Sequence, residues 1–288
     1  MQAVLILAHN QVDQLLQLVR LLKKNFSVYI HVDVKCKLKG MQKKSLVEET
    51  GGHLYQQFDV HWGGFSIVNA EMLLIKEALK DPQNAYFHVI SGLDWPAMNV
   101  QSIYDFYENT DQIYMSWGKA RGVIKSREPI ILWQKYYFDY DHMNRRSLYG
   151  KIYHRLSLLL QSLRRVNKFK DLSITCSLYQ GSNWCDLPRY AAKYIVEQMD
   201  EETALRQMFQ TGFCSDEFFY QTILCNSMYQ DKIINNNHRY IHWTKKHGSY
   251  PGILDGEDIA AVKAGDYHFM RKIDLNISNE LIHALKTE

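Results

Sequence analysis

Three short apolar runs, each followed by helical periodicity or a turn, set the limits on what this chain can fold into. They are VLIL (Val4 to Leu7), SVYIHVDVK (Ser27 to Lys35) and YFHVISGLDWP (Tyr86 to Pro96), the last breaking at Ser91-Gly92. Runs this short and this apolar fit strands covered on both faces. Leu15, Leu18, Val19 and Leu22 recur at helical spacing after the first run, and the pattern from Ile67 to Leu79 is helical too. Asn10 is a candidate cap for the first helix, with Asp13 three residues on. The alternation predicts an α/β fold with right-handed crossovers, a mixed but mostly parallel central sheet flanked by helices. Ligands of such sheets bind beyond the carboxyl ends of the strands, where His31-Val32-Asp33 and Ser91-Gly92-Leu93-Asp94 fall.

Missing signals narrow the function. There is no GxGxxG after the first strand and no GxxxxGKS/T anywhere, which disfavours a dinucleotide dehydrogenase or a P-loop NTPase. A net charge of +3 is too weak to argue for nucleic acid. The five cysteines are odd in number and form no CxxC pair, against a disulfide framework or structural zinc and in keeping with a reducing compartment. His242 and His247 stand apart from other ligand types, so no metal site is expected there. No apolar run approaches 18 residues, and MQAVLILAHNQ lacks a basic leader and a cleavage-type end. The expectation is a soluble, cytoplasmic protein. Residues 1–288 read as one unit without linker or repeat, about 1–110 forming a nucleotide-binding half and 111–288 an acceptor and catalytic half.

From Arg145 to Lys170 there are eight Lys or Arg and no acid, while Tyr149, Ile152, Tyr153, Leu156, Leu159, Leu160 and Leu163 recur at helical spacing. Such a helix suits an anionic membrane surface; the ordinary alternative is an apolar stripe facing the core and a solvated basic face.

Four motifs and three longer runs, taken in order, resemble one family. They are HVD (His31 to Asp33), WGGFS (Trp62 to Ser66), SGLDWP (Ser91 to Pro96) and GSNW (Gly181 to Trp184). SDEFFYQTIL from Ser215, the run Asn235 to Trp243 and FMRKID from Phe269 complete the set. The set resembles the core-2/I-branching β-1,6-N-acetylglucosaminyltransferases, the group that includes peptide O-xylosyltransferases, from about Val4 to Asp274. The resemblance implies a GT-A-type nucleotide-sugar fold, inversion at the anomeric carbon, a UDP-GlcNAc or UDP-xylose donor and no obligatory metal. Without a leader, a bacterial member acting at the inner face of the membrane on a glycan or lipid-linked saccharide is expected.

Sugar transfer needs a carboxylate to take the acceptor hydroxyl's proton. The resemblance assigns this to Glu217, beside Asp216 as a capping or orienting acid. An acid at a helix start also complements the dipole and is often only structural. The departing diphosphate needs positive charge, which the resemblance places on Arg271 and Lys272. The family carries a further upstream Arg, for which Arg239 or Lys263 are the candidates here. Asp33 is the bet for base or ribose, with Trp62, Gly63 and Gly64 letting the backbone approach the donor. Asp94 and Trp95 are expected to line the sugar pocket, Trp184 to offer an acceptor stacking face, and His9 to hydrogen-bond locally. Asp139-Tyr140-Asp141 is a literal Asp-x-Asp, read as a chance match because it follows WQKYYF rather than a strand. Two rivals stand: a metal-dependent transferase using Asp139 and Asp141, and a non-catalytic carbohydrate-binding protein of the same fold.

Overall fold

The structure, a computed structural model, describes residues 1–120, 134–138, 140–143 and 147–286. The first part runs β1 (Gln2–Ala8), α1 (Val12–Leu22), β2 (Ser27–Val32), α2 (Gly40–Glu49), β3 (Leu54–Tyr55) and α3 (Ser66–Leu79). Next come β4 (Tyr86–Ser91), β5 (Asp94–Pro96), α4 (Val100–Glu108), β6 (Ile113–Met115) and β7 (Gly118–Lys119). After residue 147 follow α5 (Leu148–Leu163), α6 (Lys168–Asp171), β8 (Tyr179–Gln180), β9 (Cys185–Pro188), α7 (Arg189–Glu201) and α8 (Thr203–Gln210). The chain closes with α9 (Phe219–Cys225), β10 (Ile233–Ile234), β11 (Arg239–Ile241), α10 (Ile259–Lys263), β12 (Phe269–Arg271) and α11 (Asn279–Lys286).

The three apolar runs form the middle of a seven-stranded sheet ordered β10-β6-β9-β4-β1-β2-β3. Every neighbouring pair is parallel except those of β9, which runs antiparallel to β4 and β6. Side chains of β1 alternate between two cores. Ala3 and Leu5 join α3, α7 and α9 on one face, while Val4, Ile6 and Ala8 join α1 and α11 on the other. This two-sided burial is why the run is continuously apolar. The break at Ser91-Gly92 ends β4 in the main sheet and starts β5, which joins a second sheet ordered β11-β12-β5.

A buried polar network ties the two sheets. Asp186 on β9 accepts from both terminal nitrogens of Arg239, at 2.8 and 2.7 Å, and from the Tyr107 hydroxyl at 2.7 Å, with His88 Nδ1 at 2.9 Å. Burial alone would raise the Asp186 pKa, but Arg239 and His88 outweigh it and hold the carboxyl far below its usual range. Arg239, one of the two candidates for the further cation, is thus paired with Asp186 inside the protein.

Two further expectations change. Asn10 does not cap α1: the capping position falls to Gln11, in the left-handed region at φ 50° and with no side-chain cap bond. The basic segment forms α5, whose apolar stripe faces solvent rather than the core, and whose first basic residue, Arg145, lies outside the described residues. Lys168, expected on the basic face, is fully buried and donates to the carbonyls of Met208 and Thr211, each at 3.0 Å; burial pulls its pKa down to about 7.

Candidate active site

The carboxyl ends of β1, β2 and β4 gather charge. Asp33 follows β2; its Oδ1 accepts the backbone N–H of Lys35 at 2.8 Å, and the Lys35 ammonium lies 3.5 Å from Oδ2. Register opposes Arg271 of β12 to Asp94 of β5, and Met270 to Trp95. Arg271 Nε lies 3.2 Å from Asp94 Oδ1, an ion-pair contact without hydrogen-bond alignment. The guanidinium sits 4.4 Å from the centroid of the Trp184 ring. Among the described residues no acceptor meets its terminal nitrogens. Lys272 donates to Ser249 Oγ at 3.1 Å and to the Tyr250 carbonyl at 3.3 Å.

These groups feel one another. Burial lowers the Lys272 pKa, and the adjacent Arg271 lowers it further. His9, just past β1, is lowered by burial and by Lys272, Arg271 and Lys35, against the opposing pull of Asp33. Neighbouring cations that destabilise each other's charge make a site that an anion would relieve.

The second half of the site is acidic. Cys214, in the left-handed region at φ 55°, starts a 3-10 turn, Ser215–Glu217, just before α9. Asp216 is buried and its Oδ1 has no hydrogen-bond partner. Burial and the neighbouring Glu217 push its pKa up to about 7. Glu217 is solvent-exposed, yet the protein around it raises its pKa by desolvation. That reverses the expected sign: the start of a seven-residue helix does not outweigh desolvation here.

Glu71, on α3, was not anticipated. It is buried, and burial followed by the Asp216 charge raises its pKa well above the carboxylate range. Its signal was in the sequence: Val68, Glu71 and Ile75 share the apolar face of α3, so an acid stands where a core residue belongs.

One loop joins the halves. Gly181 N–H donates to the Glu217 carbonyl at 2.9 Å, Asn183 Nδ2 reaches Glu71 Oε1 at 3.5 Å, and the next residue, Trp184, lies under Arg271. A Cβ on Gly181 would overlap the Ser116 carbonyl, so only glycine lets this loop lie so close. The Gly181–Trp184 loop therefore links the Asp216–Glu217 turn to Arg271 and its partner Asp94, while Lys272 and Asp33 both act on His9.

Several of the predicted site residues are engaged by protein neighbours. The Asp94 carboxylate accepts from the Ser91 N–H at 2.7 Å and Oγ at 2.9 Å and pairs with Arg271. Trp95 alternates to the opposite side of β5, packs in the core and lines a cavity of about 240 Å³ with Leu21, Met98 and Ile282. Trp184 is buried with Arg271 over its ring, so that face is not an open stacking surface. Gly63 has φ +77° and a Cβ there would overlap the Phe213 ring; a Cβ on Gly64 would overlap Asp141 Oδ1. The two glycines admit protein neighbours, and Cys214 N–H donates to the Gly63 carbonyl at 3.0 Å, pinning this loop to the Glu217 turn. Trp62 is exposed, with its ring edge-on to Phe213 at 5.5 Å.

Asp141 accepts from the backbone N–H of Ser66 at 3.0 Å and of Phe65 at 3.2 Å, capping the start of α3. Asp139 lies outside the described residues. His238, Asp266 and His268 also cluster, but the two imidazoles stack at 4.2 Å and 7°, so their in-plane lone pairs run parallel instead of converging on an ion.

The Core-2/I-Branching enzyme family model matches residues 3–267. The chain belongs to this family. Among curated proteins, it is 25% identical over 257 residues to Xylosyltransferase 2 of Homo sapiens, covering 83% of this chain and 27% of that protein. It is 22% identical over 286 residues to Xylosyltransferase 1 of Canis lupus familiaris, covering 91% of this chain and 28% of that protein. The family member thus spans about a quarter of the length of these relatives. Among solved structures, the bifunctional glycosyltransferase WbbM aligns at TM-score 0.38 and 14% identity, over 99% of this chain and 50% of that one. Core-mannan synthase A of Aspergillus fumigatus aligns at TM-score 0.36 and 11% identity, over 81% and 72%.

Proposed function

We propose that this core-2/I-branching family member is an inverting glycosyltransferase that moves GlcNAc or xylose from a UDP-sugar to a hydroxyl of a glycan or lipid-linked saccharide. The observation that carries this reading is the Gly181–Trp184 loop, which holds the backbone of Glu217 at one end and lies against the Arg271 guanidinium at the other. In the proposed step the acceptor oxygen attacks the anomeric carbon as its proton passes to the Glu217 carboxylate. The bond from that carbon to the diphosphate oxygen breaks, and UDP leaves with the electron pair. A single displacement of this kind inverts the centre and needs one base, not a second nucleophile. A base pKa raised above the ordinary carboxylate value suits the task, because it strengthens the acceptor of the proton near neutral pH.

Arg271 and Lys272 would meet the charge developing on the diphosphate. They are fixed, partly desolvated cations, and such groups stabilise a leaving anion without exchange of a metal. In this reading the Asp33 carboxylate accepts a hydrogen bond from the ribose or uracil of the donor. The test is a turnover panel of UDP-GlcNAc, UDP-xylose, UDP-galactose and UDP-glucose, with and without EDTA. The reading expects turnover of UDP-GlcNAc or UDP-xylose at an unchanged rate in EDTA. Loss in EDTA with recovery in Mn²⁺ would favour a metal-dependent transferase. Binding of UDP-sugars without any turnover would leave a carbohydrate-binding protein.

A further inference from the structure

α5 is packed with the opposite face from that of an ordinary surface helix. Its inward face carries Gly150, Leu158 and Gln161: Gly150 is buried, Leu158 packs against Tyr137, Tyr140 and Phe213, and the Gln161 side chain accepts from the Tyr136 N–H and donates to the Tyr136 carbonyl, both at 2.8 Å. Leu148, Ile152, Leu156, Leu159 and Leu163 follow one another at four- and three-residue steps, a single helical stripe, and each is 53% to 76% exposed. The stripe presents roughly 500 Å² of apolar surface, the scale that marks an interaction site on a soluble protein. Beside it lies a groove of about 480 Å³ whose lining includes Tyr136, Phe138, Leu156 and Leu160, with Arg164 and Asp171 as its charged residues.

Charge decides what fits this face. Lys151 and Arg155 flank the stripe and Arg164 and Arg165 follow its end, all exposed, with no acid between Ser147 and Val166. A second copy docked here would set these cations against each other, whereas an anionic surface would neutralise them. At 16 residues the helix is roughly 24 Å long, and no helix among the described residues is long and apolar enough to cross a membrane.

We infer that α5 docks the protein on an anionic phospholipid bilayer, lying in the interface plane with its leucine stripe among the acyl chains and its cations on the headgroups. The inference stands on α5 alone and does not rest on the reading of the transfer site.

The test is co-sedimentation of the full chain with vesicles of phosphatidylcholine alone, or with about one third phosphatidylglycerol. Wild type is expected to bind the anionic vesicles at least tenfold more tightly and to release in high salt. Leu156→Gln with Leu159→Gln, and separately Lys151→Gln with Arg155→Gln, should each weaken binding at least tenfold. Unchanged thermal melts and unchanged turnover of UDP-sugars would show that the fold and the transfer site are intact. In the wild-type protein, hydrogen exchange over 148–163 should slow when vesicles are added. No binding to anionic vesicles, binding indifferent to both double variants, or no protection of 148–163 would each overturn the inference. So would a wild-type dimer that Leu156→Gln with Leu159→Gln converts to monomer, since the stripe would then be a contact between copies.

Discussion

Asp216→Asn should stabilise the protein above neutral pH and leave it nearly unchanged in acid. Asp216 is buried beside Glu217, one of its oxygens has no partner, and its pKa stands at about 7. Between the ordinary carboxylate value of about 4 and pH 7, the folded state holds a proton that the unfolded chain has released. Stability therefore falls as pH rises through that window and is fully reduced above it. A displacement of about three units corresponds to about 4 kcal/mol, less whatever share Glu217 takes of the same proton. Asparagine resembles the protonated acid in shape and cannot ionise, so the variant avoids this loss. Urea unfolding followed by tryptophan fluorescence, at pH 4.5 and pH 8, reads the difference. The expected gain is about 2–4 kcal/mol at pH 8 and under about 1 kcal/mol at pH 4.5. A parallel pH dependence in the two proteins, or a variant less stable at pH 8, would refute the reasoning, for it would mean that the Asp216 charge is compensated. The same substitution removes repulsion from Glu217, so the acidic limb of turnover should move to lower pH.

Three further outcomes follow from particular contacts. Asp186→Ala leaves the Arg239 guanidinium buried without its bidentate partner and should cost about 3–5 kcal/mol, read as a lowered melting temperature. Asp141→Ala removes the acceptor of two N–H groups at the start of α3; it should cost about 1–2 kcal/mol in urea unfolding while turnover stays within tenfold and remains indifferent to EDTA. Lys272→Ala should weaken UDP binding in calorimetry about tenfold and flatten its salt dependence, whereas unchanged affinity and salt dependence would remove this lysine from the phosphate site.

The sheet was legible because burial on both faces leaves a chemical mark: continuous apolar runs for β1 and β2, and a break at Ser91-Gly92 where the chain passes from one sheet to the other. The same runs located the loops at the carboxyl ends of β2 and β4 that carry Asp33 and Asp94. Direction was not legible. Periodicity identified the stripe on α5 but carries no information about which neighbours exist to cover it, and it placed Lys168 on a solvated face that the turn near Thr211 closes over. In β5 the choice of which of Asp94 and Trp95 faces Arg271 depends on register with β12, more than 170 residues away in sequence. Asp141 and Arg239 could be seen as charges, but their partners, Phe65 with Ser66 and Asp186, are set by the tertiary fold. Glu71 left the one readable hint, an acid on an apolar helix face.

The central claim is that Glu217 takes a proton while Arg271 and Lys272 hold the nucleotide end. It is tested most directly by measuring UDP affinity and UDP-sugar turnover side by side in wild type and Glu217→Gln. The account predicts turnover down by a thousandfold or more, with UDP affinity within about threefold of wild type. Turnover above a tenth of wild type in Glu217→Gln would contradict it.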